Sequence, residues 1–382
     1  MKVLQGRSMS PMAARAVAEA ADGWSGTPDI IFAFCSSQQV PTEVAAALKA
    51  RWGAVPVVGG TTAGEFLGGA HTTGSLVLAG LVDSGVRWAT TLVEDVSRFD
   101  AATARRVAAG LLAALGLDES AAFDPEELFC LTFIDGLSMM EEKVVALLAD
   151  ELAGVRIAGG SSGDDLMFER TWVFHDGQAR SNAAVIVLGQ SVTTEVEIVK
   201  HQHFVTTPSR LVITRADTDA RVVYEMDGYP ATVAYAAALG LELEALTSDV
   251  SFLHPLVFEC DGQLYVRSIQ SLNDDQSITF YCAIEPGMVV SIGGHEEMTE
   301  ALARQLDTLE RADFMLGFNC ILRSLEANAK ACHHGLSDVL SRRCGGMIGF
   351  DTYGEQLDGL HINQTLVAVT FNSRQPDAGR PQ

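Results

Sequence analysis

The sequence predicts a mixed α/β protein, with layered sheets and helices built from repeated units. Three observations predict it. A strand–helix–strand pattern occurs three times, every copy runs into a glycine-rich stretch, and each is followed by one more apolar strand. Composition agrees, since 48% of the 382 residues are hydrophobic and only 20% are charged. That excludes a disordered chain and provides for two or three buried cores.

In the first unit, residues 29–36 are a short β-rich apolar run, and Pro41–Trp52 has helical periodicity. A strand over 55–58 then leads into Gly59-Gly60-Thr61-Thr62-Ala63-Gly64-Glu65, read as a turn, and a strand follows over 75–81. The second unit repeats this order. A strand over 128–134 precedes a helix over 139–152, where Ser138 and Glu141 have capping-box spacing. The Glu141-Glu142 pair is explained by that cap and by helix N-terminal charge. A strand over 155–158 enters Gly159-Gly160-Ser161-Ser162-Gly163-Asp164-Asp165, with further strands over 166–174 and 183–188. The third unit has a strand over 313–321, one helix over 325–340, a strand and turn from 344 to 349, and a last strand over 364–371.

Between the second and third units lies a different region. Strands are predicted over 211–214, 222–224, 254–259, 264–270, 277–283 and 288–292, with a helix over 229–239 started by Pro230. The polar stretch 206–219 divides the chain into two closely packed domains, 28–220 and 221–371.

The charge balance is 26 Lys+Arg against 49 Asp+Glu, a net −23. Such a surface repels phosphate backbones and anionic lipid, so neither nucleic acid nor membrane insertion is expected. No apolar run approaches the ~18 residues of a membrane helix. Seven scattered cysteines read as reduced thiols of a cytoplasmic protein.

Gly159–Gly163 spells Gly-x-Ser-x-Gly, but a nucleophile elbow needs a helix after it, and a strand is predicted there. His201-Gln202-His203 and Cys332-His333-His334 lack the spacing of a zinc site. Asp164 and Asp165 are divided between turn chemistry and lining a site. The densest polar cluster is C-terminal: Asn319, Arg323, Tyr353, Glu355, Gln356, His361 and Asn363 would gather at one end of the third unit, the make-up of a small-ligand pocket. No nucleophile–base–orienter set emerges, so the chain is read as no enzyme. A hydrolase using Ser161 or a thiol such as Cys320, and a scaffold that binds only proteins, are the alternatives.

Several of these segments resemble the FIST sensory family. They are Gly59–Glu65, Gly159–Asp165, Asp135–Ser138, residues 222–230, 265–268 and 280–284, Asn319–Arg323 with Glu326, and Tyr353–Gln356 through His361–Thr365. The resemblance covers about 28–371. It implies small-ligand sensing in signal transduction, and it adds Arg267 to the ligand-binding set. One bacterial branch with similar C-terminal motifs is described as haem-bound nitric-oxide sensors acting on histidine kinases or cyclic-di-GMP enzymes. For this chain that implies non-covalent haem b, with His361 as the iron ligand and His254, His203 and His201 behind it. The ligand, the partner and a homodimer are left open.

Overall fold

The computed structural model describes residues 1–117, 124–260 and 262–374. Three units follow one another with the same element order. The first is β1 (Lys2–Ser8), α1 (Ala13–Ala20), β2 (Ile30–Ser36), α2 (Pro41–Trp52), β3 (Val57–Thr62), a hairpin β4 (Glu65–Leu67) and β5 (Ala70–Thr72), and β6 (Leu76–Val82). The second is β7 (Val86–Glu94), α3 (Ala101–Ala114), β8 (Leu128–Asp135), α4 (Glu141–Glu151), β9 (Arg156–Ser162), a hairpin β10 (Val173–His175) and β11 (Gln178–Arg180), and β12 (Ala183–Ser191).

The third unit opens with β13 (Thr194–His201) and is then interrupted. The insertion comprises β14 (Phe204–Asp217), β15 (Val222–Met226), β16 (Tyr229–Pro230), α5 (Ala231–Leu239), α6 (Ser248–Leu253), β17 (Leu256–Cys260), β18 (Gln263–Arg267), β19 (Ile269–Leu272), β20 (Ile278–Phe280) and β21 (Val289–His295). The unit resumes with α7 (Met298–Leu306), β22 (Ala312–Cys320), α8 (Ile321–Ala329), α9 (His333–Arg343), β23 (Cys344–Thr352), a hairpin β24 (Glu355–Leu357) and β25 (Leu360–Ile362), and β26 (Leu366–Ser373).

Each unit builds one six-stranded sheet, and each sheet borrows its last hairpin from another unit. The orders are β1-β6-β2-β3-β10-β11, β7-β12-β8-β9-β24-β25 and β13-β26-β22-β23-β4-β5. Hairpins therefore pass from unit one to three, three to two, and two to one, closing a ring. The central pairs are parallel and share one register: Ser36 faces Thr62, Asp135 faces Ser162, and Cys320 faces Thr352. The insertion forms a fourth, antiparallel sheet around β14 and β21.

Side-chain alternation on the central strands explains the layering. One face of β2, β8 and β22 offers Phe32, Phe34, Phe133 and Phe318, which meet in a common core with Phe350 and Phe371. The opposite faces carry Ile31, Ala33, Cys130, Ile134 and Met315 into three outer clusters under the helices. Sheets buried on both faces explain why these strands read as continuous apolar runs rather than alternating ones.

The structure is mixed α/β with layered sheets, as the repeats predict, but some local expectations are corrected. β3 and β9 run on through their glycine pairs, so the turn begins later. These glycines permit close strand approach: a Cβ on Gly59 would lie 1.9 Å from the Ala33 carbonyl oxygen. The helix expected over 325–340 is two helices, broken where Ala331 takes φ 51°. Most of 166–174 is loop, because Asp164 captures the backbone amides of Phe168, Glu169 and Arg170. The capping box does not form. Ser138 instead donates to the Asp135 carbonyl, and Glu141 turns to an arginine of the insertion. Residues 264–270 split into β18 and β19, which sit at opposite ends of the inserted sheet.

Candidate functional site

Two of the three units end their central strands with the same carboxylate cage. Glu65 accepts from Thr62 Oγ1 at 2.5 Å and from the Ser75 hydroxyl at 2.6 Å and amide at 3.1 Å. Glu355 repeats this with Thr352 and with the Thr365 hydroxyl (2.6 Å) and amide (3.2 Å). Both are fully buried, and burial outweighs the donors, pushing Glu65 up to about 7 and Glu355 up to about 8. A buried carboxyl raised this way holds its proton in the native state. Its stabilisation is complete below the unfolded value near 4.5 and is lost as pH rises through about 8. Glu355→Gln is therefore expected to flatten the fall in denaturant midpoint between pH 5 and 8; an unchanged pH profile refutes this.

The second unit departs from the pattern. Asp135, at the end of β8, accepts from the Leu137 amide at 3.0 Å and from Thr171 and the Asn182 amide. Asp165 reaches across to Ser36 and Ser37 in the first unit, at 2.6–2.9 Å. Only residues 63–64 and 353–354 link strand to hairpin in the other units, whereas here the link runs from 163 to 172. Asp164, also taken by the Tyr353 hydroxyl at 2.5 Å, ties that longer loop down. Its turn places Asp165, Leu166 and Phe168 at positive φ, an unfavourable backbone for such side chains.

This loop forms one wall of a cavity of about 460 Å³. The cavity lies where β8 and β22 end and α4 and α8 begin, under the inserted sheet. Leu137, Leu166, Phe280, Ile321, Leu322 and Leu325 give it an apolar lining. Phe168 stacks on Tyr353 with centroids 5.0 Å apart, at the rim where Met139, Leu166 and Phe168 are exposed.

Its polar side is Arg221. The guanidinium donates to Glu141 at 2.8 Å, to Glu142 at 2.6 Å and to the Tyr281 carbonyl at 2.7 Å, clamping the insertion to α4. Burial pushes Glu141 up to about 7 against the pull of Arg221. For Glu142 the same burial is outweighed, with Arg221 and the Ala283 amide among the groups holding it below the usual range. Asn363 contributes a fully buried amide whose Oδ1 has no partner.

Of the residues expected to bind ligand, Tyr353 and Asn363 line this cavity. Asn319 and Arg323 face a smaller pocket across α8. Arg267 is buried, with its guanidinium 4.7 Å over the Phe258 ring. Gln356 donates to Ser161 Oγ at 2.8 Å, and Glu355 is closed in its cage. Asp164 and Asp165 hold loops. Sequence reasoning missed Arg221 and Phe168, and it explained Glu141-Glu142 locally; an unpaired Arg beside a predicted strand was the one signal available.

His361 is fully buried and faces a backbone wall: a Cβ on Gly354 would sit 2.6 Å from its Nε2. Burial lowers it to about 4. It does not line the cavity, and no histidine does among the described residues. His254 lies beside His295, while His201 and His203 are buried near Arg323. These positions do not fit an axial haem ligand in an apolar pocket. Ser161 is fully buried, and the hydrogen bond it receives comes from an amide rather than a base. Cys320 is among the cavity's lining residues, but burial pushes its thiol well above the usual value.

An α/β body carrying a ligand-sized cavity at the seam with an inserted sheet is the class of protein this geometry defines. The chain belongs to the FIST family: residues 29–229 match the FIST N domain and residues 231–358 the FIST C domain. FIST domains are sensory domains. No curated protein matches the sequence. Among solved structures, a cyanuric acid hydrolase from A. caulinodans is similar at 12% identity and a TM-score of 0.40, over 98% of this chain and 99% of that one.

Proposed function

We propose that this protein is a non-catalytic sensor that takes a small, largely apolar molecule into the seam cavity and reports to a partner protein. A histidine kinase or a cyclic-di-GMP enzyme is the kind of partner expected. The observation that carries the reading is the unpartnered Oδ1 of the fully buried Asn363 amide, on the wall of a largely apolar cavity. A buried polar atom left open calls for a partner, and a ligand with a matching hydrogen-bonding group supplies one. Arg221 spans both halves, so occupancy of the cavity bears on the contact between the inserted sheet and α4. Free thiols suit a reducing cytoplasm. No helix among the described residues is long and apolar enough to cross a membrane.

The test is a thermal-shift screen of small molecules, haemin included, on the wild type and on Leu322→Trp, which puts an indole into the cavity from its apolar wall. A true ligand at 100 times its Kd adds about 2.7 kcal/mol to the wild type and nothing to the variant. Equal responses overturn the cavity assignment. A stoichiometric Soret band lost in His361→Ala would instead establish the haem sensor, and ester turnover lost in Ser161→Ala the hydrolase.

A further inference from the structure

Across α8 from the cavity lies a separate pocket of about 30 Å³. Arg323, Asn319, Ser324, His71 and His333 line it, with Phe66 and Leu366 among its apolar walls. Arg323 is 2% exposed, and its Nη1 has no hydrogen-bond partner. Burial lowers the guanidinium to about 10, so it is still charged at neutral pH.

The carboxylates nearby are already engaged. Glu326 accepts from His203 at 2.9 Å and Lys330 at 2.6 Å. Asp351 takes Asn319 at 2.8 Å, Ser324 at 2.7 Å and His71 at 2.7 Å. No carboxylate among the described residues comes within ion-pair distance of Arg323. The buried neighbour His201 has both ring nitrogens unpartnered, and His203 has one. Two histidines are thus left with unsatisfied nitrogens beside one desolvated cation, and a buried charge without a carboxylate in ion-pair contact is strongly unfavourable.

We propose that this pocket binds a small monovalent anion of halide or formate size, held by Arg323. The single uncompensated positive charge sets the valence. A multivalent oxyanion would add negative charge beside Asp351 and Glu326. The volume sets the size, since it holds one small ion and no bulky organic carboxylate. The site is independent of whatever occupies the seam cavity.

Thermal melts of the full chain at constant ionic strength test this, exchanging sodium gluconate for sodium formate or sodium benzoate. The wild-type melting temperature is expected to climb by several degrees with the logarithm of formate concentration and to ignore benzoate. Arg323→Met should melt alike in all three salts. Equal wild-type melting in formate and gluconate, or a formate response that survives in Arg323→Met, overturns the site. Should the variant not fold, bromide-soaked wild-type crystals decide: an anomalous peak beside the Arg323 guanidinium is expected, and its absence refutes the proposal.

Discussion

Phe133→Ala is expected to cost about 3–5 kcal/mol, the range for truncating a fully buried aromatic. Phe133 lies 5.9 Å from Phe34 and 5.8 Å from Phe318, ring centroid to centroid, so it touches all three units at once. Phe34 in turn packs against Phe350 with ring centroids 4.5 Å apart. Because hairpins are exchanged around the ring, no unit can relax alone to close the cavity left behind. Urea unfolding should show a lowered midpoint for the whole repeat body, read by circular dichroism. A loss below 1 kcal/mol would mean that the units are energetically separable.

Arg221→Met should be as damaging for a different reason. It leaves Glu141 and Glu142 at the seam without their cation, and breaking a buried pair costs about 3–5 kcal/mol. Arg221 and Glu141 are nearly fully buried, so solvent screens this pair little. The insertion also loses its bond from Arg221 to the Tyr281 carbonyl. Adding Glu142→Gln should recover part of the loss, and a thermodynamic cycle measures how much. If the single variant melts like wild type, the clamp does not hold the seam.

Much of the fold was legible in the sequence. α2 was readable to the residue, since Pro41 suits a first helical turn and Gly53 a helix end at positive φ. The three parallel pairs were legible because strands buried on both faces are unbroken apolar runs. The hairpins β4–β5 and β24–β25 were not, since three-residue strands carry no pattern and are placed by a sheet from another unit. The break at Ala331 was missed because apolar residues continue with helical spacing on both sides of it.

The site was less legible, and for a related reason. Tyr353 and Asn363 were found because polar residues crowded around them in the chain. Arg323 was found by the same crowding, yet α8 turns it away from the cavity that Leu322 faces, since neighbours on a helix point in different directions. Arg221 lies 80 residues from Glu141 in the chain, and only the insertion of a whole sheet into the third unit makes them partners.

The sequence by itself determined the repeat, the mixed α/β class, the family and the acidic, apolar-cored character of the chain. Those properties reside in local patterning, which each segment carries wherever it is placed. Tertiary structure alone decided that the hairpins circulate between units, that the second unit's longer loop opens a cavity at the seam, and that Arg323 is left a buried cation. These depend on pairings between distant segments, which no local pattern encodes.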